Sequence, residues 1–181
     1  TWHCHSKVSS SSNECLKRKP HTKLLGSNSD SNLEPGSGAF NGPAATDIIR
    51  HGEIVSHDLT RQGSNYTFLV KIEMEGNDSL AIYKPRDGEA PLWDFPTGTL
   101  YKREYAAYLL SQTLGWDIIP FTIIRDGPYG IGSVQQFVDH DPQQNYYTLE
   151  EGCFDQLRVI ACFDLVANST DRKANHILMG D

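Results

Sequence analysis

Apolar and polar positions divide the chain near residue 47. Residues 1 to 46 carry S-S-S-S-N, G-S-N-S-D-S-N and E-P-G-S-G with almost no apolar period, too little to offset the entropy of ordering them. They are expected to form a disordered leader. From Asp47 onward the texture changes. G-E-I-V-S-H-D-L-T (52–60) predicts a strand, R-Q-G-S-N (61–65) a tight turn and Y-T-F-L-V-K-I-E-M (66–74) a second strand. G-N-D (76–78) is a turn signal, and S-L-A-I-Y-K-P (79–85) predicts a third strand stopped by Pro85. Residues 86–98 are loop-like, but Trp93 and Phe95 are expected to pack on something. A helix follows over 99–114, with Ala106, Leu109, Leu110 and Leu114 as its apolar stripe and Gly115 as its stop. Two more strands, 118–125 and 131–138, flank D-G-P-Y-G. A second helix is expected from about Leu149 to Ala167, with Phe154, Leu157, Ala161 and Leu165 on its buried face, and I-L-M (177–179) starts a further strand.

Composition narrows the class. A chain of 181 residues with 38% hydrophobic content suits one domain plus an unpacked tail. It has no apolar run of membrane-spanning length and no secretory leader pattern, and because it begins at Thr1 it is expected to be a fragment. A net charge of −7 argues against a general nucleic-acid binder, though not against a local basic site for phosphates. None of Cys4, Cys15, Cys153 and Cys162 has zinc-site spacing. W-H-C-H at the start is expected to be a non-functional end. Cys153 and Cys162 are expected to be ordinary reduced residues near a buried helix, which suits a cytoplasmic protein.

Three strands, a helix, two strands, a helix and a polar loop make an α+β chain. The order is that of the small lobe of a kinase-like two-lobed fold (47–138), followed by the first helix and catalytic loop of the large lobe (139–181). Phosphoryl transfer asks for a flexible turn over the phosphates, a cation on them, an anchor for that cation, a carboxylate for the nucleophile and a metal ligand. Gly63, Ser64 and Asn65 occupy the first turn, where small residues let backbone approach a phosphate; alone they are only a hairpin turn. Lys84 ends the third strand and Glu104 follows twenty residues later on the helix; each alone is an ordinary solvated charge. Gln136 and Phe137 fall where a hinge backbone would meet an adenine edge, or else they belong to a core strand. In N-S-T-D-R-K-A-N-H, Asp171 is the candidate base or orienting carboxylate, and Arg172 and Lys173 could offset phosphate charge. Either Asn175 or His176 could contact a metal. The bland alternative for this stretch is a polar turn with a solvated basic pair.

Y-K-P-R-D-G-E, L-W-D-F-P and D-R-K-A-N-H, taken together, resemble a bacterial family of phosphatidylinositol 3- and 4-kinase-like proteins, over residues 50 to 181. The resemblance implies an ATP-dependent phosphotransferase using Mg or Mn, with a hydroxyl acceptor it does not identify. It implies Lys84 as the phosphate-binding lysine, Glu104 as its partner, Gln136 and its neighbours as the hinge, and Asp171 as the catalytic aspartate. His176 would stand where related kinases have a metal-binding asparagine, an unusual choice for an oxygen-preferring ion. A later metal-binding aspartate is expected beyond Asp181, so the piece alone is expected to be inactive. Two other readings are a nucleotide-binding pseudokinase or interaction module, and an α+β binding domain without nucleotide.

Overall fold

The structure, a computed structural model, describes residues 42–60, 64–140, 143–149 and 153–180, together with the backbone of residues 6–9. Its element order is β1 (Ser6–Ser9), α1 (Ala45–His51), β2 (Glu53–Thr60), β3 (Thr67–Met74), β4 (Asn77–Pro85), α2 (Leu100–Thr113), β5 (Thr122–Gly127), β6 (Gly130–Gln136), α3 (Phe154–Ala167) and β7 (Ile177–Gly180). Five strands form one antiparallel sheet in the order β2-β3-β4-β6-β5. The protein is α+β.

Alternation along the strands sets the two faces of this sheet. Phe68, Val70 and Ile72 of β3, Ala81 and Tyr83 of β4, and Val134 of β6 form one core with Ile48 and Ile49 of α1. Complete burial of an aliphatic side chain such as Ile49 contributes roughly 2 kcal/mol. Arg125 of β5 ties α1 down: its Nη1 donates to Ile49 O at 2.7 Å and its Nη2 to Gly52 O at 2.8 Å. Gly52 is required there, since a Cβ would lie 2.6 Å from Ile48 O and 2.7 Å from Glu73 O. A second core joins Ala107 of α2, Ile118 and Ile119, Cys153, Ile160 and Phe163 of α3, and Ile177 of β7.

Several expectations need correction. The stretch expected to be a featureless leader contains β1, which pairs in parallel with β7, Ser6 opposite Ile177. It also runs into α1, whose two buried isoleucines are too few to show a period. The first residues of 118–125 are not strand: Ile118 and Ile119 are buried beneath α2, where their N–H groups donate to Ser111 Oγ at 3.0 and 3.3 Å. On α2 the period was right and the phase wrong. Leu109 and Leu114 are exposed, and the buried stripe is Leu100, Tyr101, Glu104, Ala107 and Ser111. Two polar members disguise it. On α3, which starts at Phe154 rather than near Leu149, the buried residues are Ile160 and Phe163, while Leu165 is 84% exposed. Phe95 does pack, under the Arg103 guanidinium at 4.4 Å, but Trp93 is 97% exposed. Cys153 is disulfide-bonded, which overturns the expectation of a reduced thiol and removes the cysteine argument for the cytoplasm. Cys162 is a free thiol. Among the described residues no helix is long and apolar enough to cross a membrane.

Candidate functional site

Lys84 and Tyr83 are neighbours on β4, so their side chains leave opposite faces of the sheet. Tyr83 enters the α1 core, and Lys84 points to α2. There its Nζ meets Glu104 Oε1 at 2.7 Å, with the two side chains 14% and 5% exposed. Burial pushes the Glu104 carboxyl above the ordinary carboxylate range, against the pull of Lys84 and, more weakly, of Arg172. Glu104 Oε2 is buried without a hydrogen-bond partner among the described residues. A void of about 20 Å³, lined in part by Asn65, Glu89 and Glu104, adjoins the pair and has room for about one water.

The start of α2 explains why Glu104 is placed so well. Thr99 supplies no side-chain cap. Instead the Glu89 carboxylate accepts from Leu100 N at 3.0 Å and from Tyr101 N at 2.7 Å, anchoring the helix N-terminus from eleven residues upstream. The same segment holds the β2–β3 turn. Ala90 N donates to Asn65 Oδ1 at 2.7 Å, and Tyr66 N donates to Gly88 O at 2.9 Å. One short stretch, from Lys84 to Ala90, therefore positions the lysine, its partner helix and the turn above them.

A cleft of about 340 Å³ opens beside Lys84. Thr60 and Thr67 bound it at the ends of β2 and β3, Ile82 and Lys84 along β4, and Gln136, Phe137 and Val138 where the chain leaves the sheet. Asn145, Asn175 of the polar loop and Leu178 of β7 also line it. Gln136 N donates to Phe121 O at 2.8 Å and Phe137 N to Leu80 O at 3.0 Å, so those two amides hold the sheet together and do not face a ligand.

Residues 168–176 leave α3 through a Schellman turn. Asn168 is left-handed at φ 51°, Asn168 N donates to Leu165 O at 3.4 Å, and Ser169 N donates to Asp164 O at 2.8 Å. Arg172 then returns to the helix: its Nε and Nη2 donate to the two Asp164 carboxylate oxygens at 2.9 and 2.6 Å. Arg172 Nη1 also donates to His176 O at 3.4 Å. Asp171 carries a half-buried carboxylate 3.7 Å from Lys173 Nζ.

The expected site residues thus fall into three groups. Lys84, Glu104, Asn65, Gln136 and Phe137 gather in or beside the cleft. Gly63 lies outside the described residues, and Ser64 is exposed. On the loop the pattern is mixed. Asp171 stands one residue from the Arg172 anchor, and Lys173 lines a separate cavity of about 280 Å³ with Tyr146 and Tyr147. His176, the expected ligand, is only 2% exposed, and its Nδ1 accepts from Lys173 N at 3.3 Å. Its neighbour Asn175 lines the cleft. Arg172, expected to offset phosphate charge, is committed to Asp164. Sequence reasoning missed Glu89 and Asp164. The signal for Asp164 was a carboxylate in a helix's last turn, where the macrodipole disfavours it unless a cation answers it.

Fold and site define an α+β protein with a cleft lined by Lys84, which is paired with the buried Glu104, and by Asn175 of a polar loop. No family model matches the chain. It is similar to Protein Rv2133c of Mycobacterium tuberculosis, with 37% identity over 168 residues that cover 74% of this chain and 60% of that protein. The chain therefore spans three fifths of its relative's length. No solved structure matches.

Proposed function

We propose that this chain carries the nucleotide site of an ATP-dependent phosphotransferase, of the phosphatidylinositol 3-/4-kinase-like class that its motifs resemble, acting on a hydroxyl acceptor. The observation that carries the proposal is Lys84 on the wall of the cleft, held by Glu104 at 2.7 Å. Glu104 holds the Lys84 ammonium where it would neutralise the phosphates of a bound nucleotide. The cleft lining mixes apolar Ile82, Pro120 and Leu178 with polar Thr60, Thr67 and Asn175, as suits a ligand that has both an apolar base and charged phosphates.

A Mg or Mn ion brought by the nucleotide would find an oxygen ligand in Asn175 on the cleft wall, with the nucleotide phosphates supplying others, as such ions are commonly held. When bound, the metal would neutralise charge on the transferred phosphoryl group. In this reading Lys84 orients the phosphates, and Asp171 orients the acceptor hydroxyl and receives its proton. The buried His176, now a strut of the loop, favours as a second reading a nucleotide-binding module without turnover.

Binding and hydrolysis of Mg-ATP and Mn-ATP separate these readings. The kinase reading expects Lys84→Met to weaken nucleotide binding and Asp171→Asn to abolish turnover while binding persists. No binding by the wild type overturns both readings. Binding without hydrolysis leaves the second.

A further inference from the structure

The Asp164–Arg172 pair was not anticipated from the sequence, and the reading of the cleft does not use it. Asp164 sits in the last turn of α3 and controls the following loop through two different groups. Its carbonyl accepts from Ser169 N at 2.8 Å, fixing where the loop departs. Its carboxylate takes both arms of the Arg172 fork, at 2.6 and 2.9 Å, with each side chain only 15% exposed. A bidentate contact of this kind fixes the plane of the guanidinium as well as its distance. From that plane Arg172 Nη1 reaches on to His176 O, and His176 Nδ1 reaches back to Lys173 N. Residues 169 to 176 are therefore closed into a ring with Asp164 at its base. Asp171 and Lys173 flank Arg172, which is anchored to the helix, and Asn175 projects from the ring to the cleft.

We infer that Asp164 is a positioning residue. By gripping Arg172 it sets the placement of Asp171 and Asn175 relative to Lys84, without itself touching nucleotide or acceptor. The inference rests on the reading of the cleft as a phosphotransferase site. It also explains an acidic side chain at a helix C-terminus, where charge alone would select against it.

A double-mutant cycle on the full-length protein tests the inference. It uses Asp164→Asn, which is isosteric and leaves the Ser169 N–Asp164 O bond in place. Arg172→Ala is the second member, with Arg172→Lys replacing it if the alanine variant does not fold. The expected result is a fall in ATP turnover on the order of 100-fold for either change, the cost of a misplaced reacting group. Nucleotide Kd should stay within about threefold of the wild type, because the cleft walls are untouched. The double variant should lose no more than either single variant, since both break one contact. Additive losses, or turnover falling in step with nucleotide affinity and thermal stability, would show a merely structural pair and overturn the inference. So would unchanged turnover in Asp164→Asn, or a wild type that binds nucleotide but never turns over. A wild type that binds no nucleotide overturns the reading of the cleft and this inference together.

Discussion

Lys84 and Glu104 are each unremarkable as letters in a sequence, and their pairing becomes legible only through position. A lysine at the last turn of a strand and a glutamate one helix later can meet across a sheet face, and they do. What the letters cannot convey is burial. Because burial holds the Glu104 carboxyl above its ordinary range, the folded protein binds a proton that the unfolded chain has released, over the window between the two values. In that window folding stability falls as pH rises. Comparing the pH dependence of unfolding for wild type and Glu104→Gln isolates this effect, and the downward slope should be present in the former and missing from the latter. Equal slopes would mean that Glu104 titrates normally. Lys84→Met acts on the other partner. Stranding a buried charge costs about 3–5 kcal/mol. Here the loss should fall at or below the lower end, because Glu104 can take up a proton instead, and urea denaturation at pH 5 and pH 8 should show the larger loss at the higher pH.

At the scale of elements, strands were easier to find than helix faces. β3 announces itself by alternation, with Phe68, Val70 and Ile72 on one side. α2 buries Glu104 and Ser111 in the middle of its inner face, because a lysine and two backbone N–H groups need acceptors there. A reader of apolar periodicity therefore rotates the helix by one residue and picks Ala106 over Ala107. Its N-terminal anchor was invisible for a similar reason: the acceptor is Glu89, outside the window in which capping residues are sought. Glu89→Ala should cost about 1–2 kcal/mol in equilibrium unfolding, the scale of a lost helix cap. Under the proposed nucleotide reading it should also weaken nucleotide binding, since Glu104 rides on the helix it frees, whereas unchanged stability would reject the anchor role. Gly132 is a second element-level constraint. It pairs with Pro85 across β4 and β6, and a Cβ there would lie 2.3 Å from Lys84 O. Gly132→Ala should therefore destabilise by about 1–3 kcal/mol, as over-packing does, with the strain applied directly to the backbone that carries Lys84.

For the molecule as a whole, the order of elements was enough to predict an α+β chain, because each short connection leaves few places for the next element. Long-range ties were not legible. β1 pairs with β7 across almost the full length of the chain, and nothing in S-K-V-S distinguishes it from the polar residues around it. The disulfide of Cys153 is a tie of the same kind. Cys153 is completely buried at the N-terminal end of α3. Removing a native disulfide commonly costs about 2–5 kcal/mol, so Cys153→Ser should lower stability by that amount. Digestion without reduction should release the Cys153 peptide joined to a second peptide, while Cys162, an exposed free thiol, alkylates freely in the unreduced protein. Recovery of an alkylated Cys153 from that same unreduced sample would sink the assignment. In that case the protein should be equally stable with and without reductant.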